Sequence, residues 1–531
     1  IDIEKSLPGS RSRAALVLLV LLLLSSCTPH PSWRADAPVT PRGRPLTAAF
    51  AALPTSLAPY GPHSWYKTQV MPLLYEGLIT LDANQQPLPA LAVNWEVSAD
   101  GLVYTIRLRQ EVRFHHGKTL AAADVRATFQ QAMANQALAR EGRTPFALIA
   151  SIETPDSHTV RFVLKEPYAP FLTKLTVVSC PIVPHDSPST WEATPPGTGP
   201  FQLVSFQPGQ SLTLEKFAAY WDRGLPRLES VTLRAVNNAQ TRWHMLQSGE
   251  VDYAVLDPLA QSTPWAADTR DVSLVTSAPT GLFSLVFNTR RQPFADANVR
   301  RAFALAVDKA ALTQQVLGHY GGPVQQPFHP DTGPWYVNVV DPAPDLGEAR
   351  ALLTRAGYAA GLRVTLPVIV SARLFSKTAV TLREQLQRVG IDLHLELVAA
   401  ESVWQRMQQD AWDVLLRGEE SPVDADDVYF VAFHTARVGS SNISGYHSAD
   451  LDALLSAGRR TRALGERQQI YRQVVHTIHK DRPELYLFMA RWPVAWRQRV
   501  QGYDANLLRC CLLQTLTHIA NQGFKTISLS D

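Results

Sequence analysis

The chain has 531 residues, 46% hydrophobic and 18% charged, so it carries enough apolar mass for folded cores and is no disordered polymer. Its 50 Lys and Arg face 47 Asp and Glu, and the resulting +3 is scattered, which gives no support for nucleic acid as the main partner. Length allows roughly two to four domains, and 4 Cys are too few for a disulfide-built scaffold.

In chain order, Lys5, Arg11 and Arg13 precede an apolar run over 14–24, followed by Leu24-Ser25-Ser26-Cys27. A basic segment, a short apolar segment and small residues at a cut site describe a secretory signal over 1–26. The run is shorter than the about 20 residues a membrane span needs. The tetrapeptide resembles a bacterial lipobox, which implies cleavage before Cys27 and a lipid on its thiol. Each buried methylene is worth about 0.8 kcal/mol, so multiple acyl chains anchor stably. Thr28 leaves inner-membrane against outer-membrane sorting open. Prolines at 29, 31, 38, 41 and 45 make 27–45 a lipidated Cys followed by an extended tether.

Beyond the tether the pattern predicts a strand over 46–50, an aromatic loop over 57–67, a helix over 70–75 and a strand over 78–81. Alternation predicts strands over 103–108 and 160–164, with an amphipathic helix over 122–133. Pro208-Gly209 between 201–206 and 212–217 reads as a hairpin. A strand over 231–236, a helix over 239–248 closed by Gly249 and a strand over 251–256 follow. Next come a strand over 283–288, one long helix over 298–317, a helix over 348–355 and a strand over 364–370. A helix over 378–389, a strand over 391–398, a helix over 402–409, a strand over 412–416 and helices over 449–460 and 467–479 complete the body. The alternation argues a mixed α/β protein of more than one lobe.

Five phrases carry a resemblance. They are Leu73-Leu74-Tyr75-Glu76-Gly77-Leu78-Ile79; Ser98-Ala99-Asp100-Gly101 with Val103-Tyr104-Thr105-Ile106; Gly197-Thr198-Gly199-Pro200-Phe201; Leu246-Gln247-Ser248-Gly249-Glu250-Val251-Asp252; and Phe287-Asn288 with Pro293-Phe294-Ala295-Asp296. In this order they resemble the peptide and nickel-binding extracellular solute-binding proteins of family 5, which serve ATP-driven importers. The resemblance implies an α/β, two-lobed fold like that of type II periplasmic binding proteins, with an extra inserted domain. Lobe I would comprise 46–82, 195–283 and 494–531. The inserted domain would span 83–194 and lobe III 284–493. It also implies a solute enclosed between lobes that close about a hinge, a membrane permease as partner and a monomer at the periplasmic face of a membrane. It implies no cofactor.

In peptide-binding members an Asp holds the peptide ammonium within a Gly-Trp-x-x-Asp phrase. With Gly418 as that Gly, the Trp position is Glu419 and the Asp position is Pro422, so the ordinary peptide anchor is absent at that position and Asp424 substitutes only if the loop shifts by two residues. The segment still holds Glu419, Glu420, Asp424, Asp426 and Asp427, five carboxylates in nine residues. It reads either as a solvated loop or as a cleft edge that attracts a cationic solute. Glu419 and Asp424 are the expected inward-facing members, with Arg417 just before them. By loose correspondence His63, Trp65, Tyr66, Asp257 and Phe146 are expected near the solute.

A metal or metallophore ligand is the alternative within the family. His115-His116 should point apart on a strand, and His476 and His479 share a helix face without a Cys to complete a site. His479 alternatively caps that helix. Cys180, Cys510 and Cys511 define no framework, and a bridge from Cys180 to either of the others is one option. Gly117-Lys118-Thr119 lacks the Gly a phosphate loop needs before its Lys. There is no His-Glu-x-x-His or Gly-x-Ser-x-Gly, so the chain reads as a non-enzyme. A secreted hydrolase with dispersed catalytic residues, or an orphan sensor or chaperone, are the readings from other classes.

Overall fold

The computed structural model describes residues 45–529 except 61–64, 83–84, 135–144, 177–179, 187–195, 260–264, 266–270, 332, 370–371, 421 and 502–527. The expected signal, Cys27, His63, Cys510 and Cys511 fall outside the described residues.

A seven-stranded sheet organises the first lobe. Its order is Val272–Thr276, Pro493–Arg497, Tyr253–Val255, Leu46–Phe50, Ser230–Ala235, Ser211–Lys216 and Phe201–Gln207. Leu46–Phe50 is central and runs parallel to both neighbours. Leu46, Ala48 and Ala49 are fully buried, as a strand covered on both faces must be. The hairpin turns at Gly209, whose φ of 70° suits glycine. The helix Ala239–Ser248 begins at Asn238, whose side chain accepts from Gln240 and Thr241, and ends on left-handed Gly249.

A four-stranded antiparallel sheet interrupts this lobe, in the order Ala92–Val97, Val103–Leu108, Thr159–Leu164 and Ile149–Asp156. Helix Ala122–Ala134 packs on it, and Phe129, Phe146, Phe162 and Phe171 fill the space between. The chain returns through Gly199, where a Cβ would lie 2.5 Å from the Leu74 carbonyl carbon, so only glycine fits. Buried Glu76 stitches this return to the lobe. It accepts from Thr198 Oγ1 at 3.0 Å, Tyr220 Oη at 2.7 Å and Trp221 Nε1 at 2.9 Å.

The second lobe holds a four-stranded sheet in the order Gly321–Pro323, Glu484–Ala490, Gly281–Phe287 and Val414–Glu420. Leu362–Ile369 and Ile391–Val398 form a parallel pair beside it. Apolar clusters cover both faces of the larger sheet. Two short segments join the lobes, 277–280 and 491–492. They lie side by side, with Ser277 N donating to Trp492 O at 2.9 Å and Trp492 N to Ser277 Oγ at 2.9 Å.

Several expectations need correction. The helix expected over 298–317 is two helices, Ala297–Ala306 and Lys309–Leu317, because Asp308 caps the second. The strand expected over 412–416 runs as Val414–Glu420. The acidic loop is the end of that strand plus the start of a helix, Ala425–Phe433. Asp424 caps this helix, and Asp427 returns a bond to the Asp424 backbone in a capping box. His115 and His116 sit in a turn rather than a strand, and His115 Nε2 lies 3.0 Å from Gly199 O.

Candidate functional site

The site is built from strand ends. The parallel strands Leu46–Phe50, Ser230–Ala235 and Tyr253–Val255 finish at one edge of the first sheet, where ligands bind in open α/β sheets. Arg242, on the Ala239–Ser248 helix, braces that edge. Its side chain is 1% exposed. Nε donates to Val255 O at 2.6 Å, Nη1 to Val236 O at 2.6 Å and Asn237 O at 3.0 Å, and Nη2 to Asp257 Oδ1 at 2.7 Å. The brace fixes the Asp257 carboxylate beyond the strand.

From the second lobe, Arg373 starts the helix Arg373–Gln387 and approaches Asp257 Oδ2 at 3.8 Å. Arg373 is 68% exposed, so the pair adds little stability. Its value is positional: it places a cation of one lobe against an anion of the other. Beside it, Gly418 passes under Phe375, whose ring would lie 2.7 Å from any Cβ there.

Arg417 and Glu419 share the opposite face of the same strand. Arg417 Nη2 donates to Glu484 at 2.5 and 2.7 Å, and Ser284 Oγ donates to Glu484 at 2.5 Å. Arg417 Nε is 3.4 Å from Glu419 Oε1 without a hydrogen bond. Burial opposes the charge on Arg417, but Glu419 and Glu484 outweigh it and hold the guanidinium protonated. Burial pushes the Glu484 carboxyl up, and Arg417 pulls against it. The short contacts from Nη2 to both Glu484 oxygens favour the ionised pair.

The expected site residues therefore divide. Asp257 is at the edge facing the second lobe. Arg417 is committed to Glu484 inside the second lobe, with Glu419 partly exposed at its side. Trp65 and Tyr66 begin the helix Trp65–Leu74. Two placements are corrections. Phe146 is 3% exposed and packs edge-on against Phe129 in the interrupting domain, so it is a core residue. Asp424 is 4% exposed, and both its oxygens accept from Arg467, at 2.7 and 2.9 Å. Arg242, Arg373 and Glu484 were missed. An Arg one turn into a capped helix between two strands is the signal for Arg242; nothing local marks the others.

His479 is not paired with His476. Its Nε2 lies 2.8 Å from Asp341 Oδ1, and Asp341 also meets Lys309 and Arg482. Lys309, His479 and Arg482 border a cavity inside the second lobe with Gln326, Tyr429 and Tyr486. Its volume of about 10 Å³ holds one water at most, so it is not a solute site. Cys180 is a free, buried thiol, and burial raises its pKa. No helix among the described residues is long and apolar enough to cross a membrane.

Two sheet-based lobes joined by paired crossovers, with Asp257 of one beside Arg373 of the other, define a two-lobed binding protein. The chain belongs to the bacterial extracellular solute-binding proteins, family 5, whose middle region matches residues 86–440. It is 29% identical to the glutathione-binding protein GsiB of Salmonella typhi over 465 residues, covering 85% of this chain and 90% of that protein. The fold is that of Helicobacter pylori DppA, solved with the peptide STSA, at a TM-score of 0.81 and 24% identity, covering 92% and 98% of the two chains. AgaA of A. tumefaciens R10, solved with agropinic acid, superposes with a TM-score of 0.79 at 25% identity, covering 92% and 99%.

Proposed function

We propose that this protein is the solute receptor of an ATP-driven importer. It closes around a small peptide-like or cationic solute and passes it to a membrane permease from the periplasmic face, tethered by a lipid on Cys27. The lobes would be 46–82, 195–283 and 494–531 against 284–493, with 83–194 inserted; the separate seven-stranded and four-stranded sheets support two lobes, with the crossover at 277–280 rather than after 283.

The observation that carries the solute class is the mixed charge at the facing edges. Asp257, braced by Arg242, supplies an anion where the lobes meet, and exposed Arg373 supplies a cation. A zwitterion with an ammonium and a carboxylate, such as a short peptide, matches both signs. The acidic segment no longer argues for a purely cationic solute, because Asp424 is neutralised by Arg467 and Asp426 by Arg459.

Native mass spectrometry of protein purified from its host tests the reading. A retained small solute, and a thermal shift with glutathione or short peptides, are the expected results. No retained mass together with no shift across a peptide library would sink it. For the anchor, mass spectrometry of the mature N-terminal peptide should find acyl chains on Cys27, and Cys27→Ser should release the protein from membranes.

A further inference from the structure

The interrupting domain and the second lobe meet along a polar seam. Their apolar cores are separate: Tyr168 belongs to one, and Phe430 and Tyr471 to the other. Across the seam, Tyr168 Oη donates to Asp426 Oδ2 at 2.9 Å, and both groups are buried. Asp426 Oδ1 is 3.1 Å from Arg459 Nε. The Arg459 guanidinium lies between two rings, 4.8 Å from Tyr168 and 3.8 Å from Phe430. Lys174, 5% exposed, pairs with Asp427. Ala169 N donates to Arg459 O at 2.7 Å. At the exposed rim Arg460 meets Glu166 at 2.9 Å, and Arg462 donates to Ser98 O at 3.0 Å.

We propose that these contacts are a latch: Tyr168 and Lys174 close onto Asp426 and Asp427 when the lobes come together, so the closed form is held by residues that do not touch the solute. The chemistry suits a seam that parts. The hydrogen-bonded and charged groups regain water on opening, whereas an apolar seam would stay shut. The desolvated members, Tyr168, Asp426 and Lys174, set the strength, while the rim pairs of Arg460 and Arg462 are screened by solvent. Asp427 also completes the capping box of Ala425–Phe433, so the helix start is fixed in the position that receives Lys174.

The latch presupposes lobes that open and close, as the receptor reading requires, but its test uses no solute, so the two can fail separately. Carbodiimide joins a carboxylate to an amine only where the two meet, with loss of water. In the ligand-free full chain, peptide mapping should find Lys174 linked to Asp427. Tyr168→Phe keeps the ring in its core and removes the hydroxyl that bonds Asp426 and meets Arg459. It should slow the initial cross-linking rate about tenfold, the worth of one hydrogen bond to a charged group. Asp426→Asn should slow it from the other side. Thermal unfolding and near-ultraviolet dichroism matching the wild type would show that both variants are folded. Absence of the Lys174–Asp427 link in the wild type, or an unchanged rate in both folded variants, would overturn the latch.

Discussion

Asp424→Asn separates a structural carboxylate from a solute-binding one. Asp424 and Arg467 have side chains only 5% and 6% exposed, so solvent screens the pair little. Two hydrogen bonds, at 2.7 and 2.9 Å, join them. Arg467 is further held by the Gly458 carbonyl at 2.8 Å and by the Trp335 ring at 4.6 Å, so it cannot swing out to water when its partner is neutralised. Breaking one side of such a buried pair costs about 3–5 kcal/mol. Asparagine caps helices about as well as aspartate, so the bond to Asp426 N survives and the loss belongs to the ion pair. Asp424→Ala should lose about 1 kcal/mol more, the worth of the cap. Urea unfolding supplies the magnitude. Hydrogen exchange at the helices Ala425–Phe433 and Leu464–Asp481 supplies the location. Adding Arg467→Met to Asp424→Asn should recover much of the loss, since no charge is then left unpaired. A stability loss under about 1 kcal/mol would refute the reasoning. Weakened solute binding without that loss would return Asp424 to the site.

Three further outcomes follow from single groups. Gly199→Ala should yield no soluble protein, because the new methyl would lie 2.5 Å from the Leu74 carbonyl carbon and 2.7 Å from Leu73 O; normal expression would contradict the tight crossing. Glu76→Gln weakens three buried hydrogen bonds to Thr198, Tyr220 and Trp221 and should lower stability by about 3 kcal/mol, since each bond to a charged group is worth about 1.5–3 kcal/mol. An unchanged thermal midpoint would mean that Glu76 is not ionised there. At Asp341, burial disfavours the charged form, but His479, Lys309 and Arg482 outweigh it and hold the carboxyl well below its usual range. A depressed folded pKa stabilises above the unfolded value of about 4 and is lost as pH falls through the folded one. The wild type should therefore lose stability on acidification below about pH 4 more steeply than Asp341→Asn, which starts lower at neutral pH. Parallel curves would refute this.

The parts of the fold legible in the sequence are those with one face in solvent. Val103–Leu108 alternates in burial as it alternates in sequence. Helix Ala239–Ser248 is bounded by Asn238 and Gly249, the residues whose chemistry stops a helix. Glu484–Ala490 was missed because every residue in it is buried, so no period of two exists to read. The break between Ala306 and Lys309 was missed because apolar spacing continues across it while a single capping Asp308 divides the turns. The acidic segment misled for another reason. Charge density along a chain does not distinguish a solvated carboxylate from a paired one, and Arg467, which pairs with Asp424, and Tyr168, which donates to Asp426, lie 43 and 258 residues away.

That distance also separates two uses of the same chemistry. The Asp424–Arg467 pair lies within one lobe and stays together whether the lobes are open or closed. Its loss should appear as reduced stability with closure unchanged. The Tyr168–Asp426 and Lys174–Asp427 contacts cross between cores that share no apolar cluster, so opening breaks them and water replaces them. Their loss should shift closure and leave each core's stability near that of the wild type. Adjacent carboxylates on one turn of one helix thus report on different equilibria. A receptor that opens in water needs this division: apolar burial holds each lobe together, and polar contacts that can be rehydrated hold the lobes to each other.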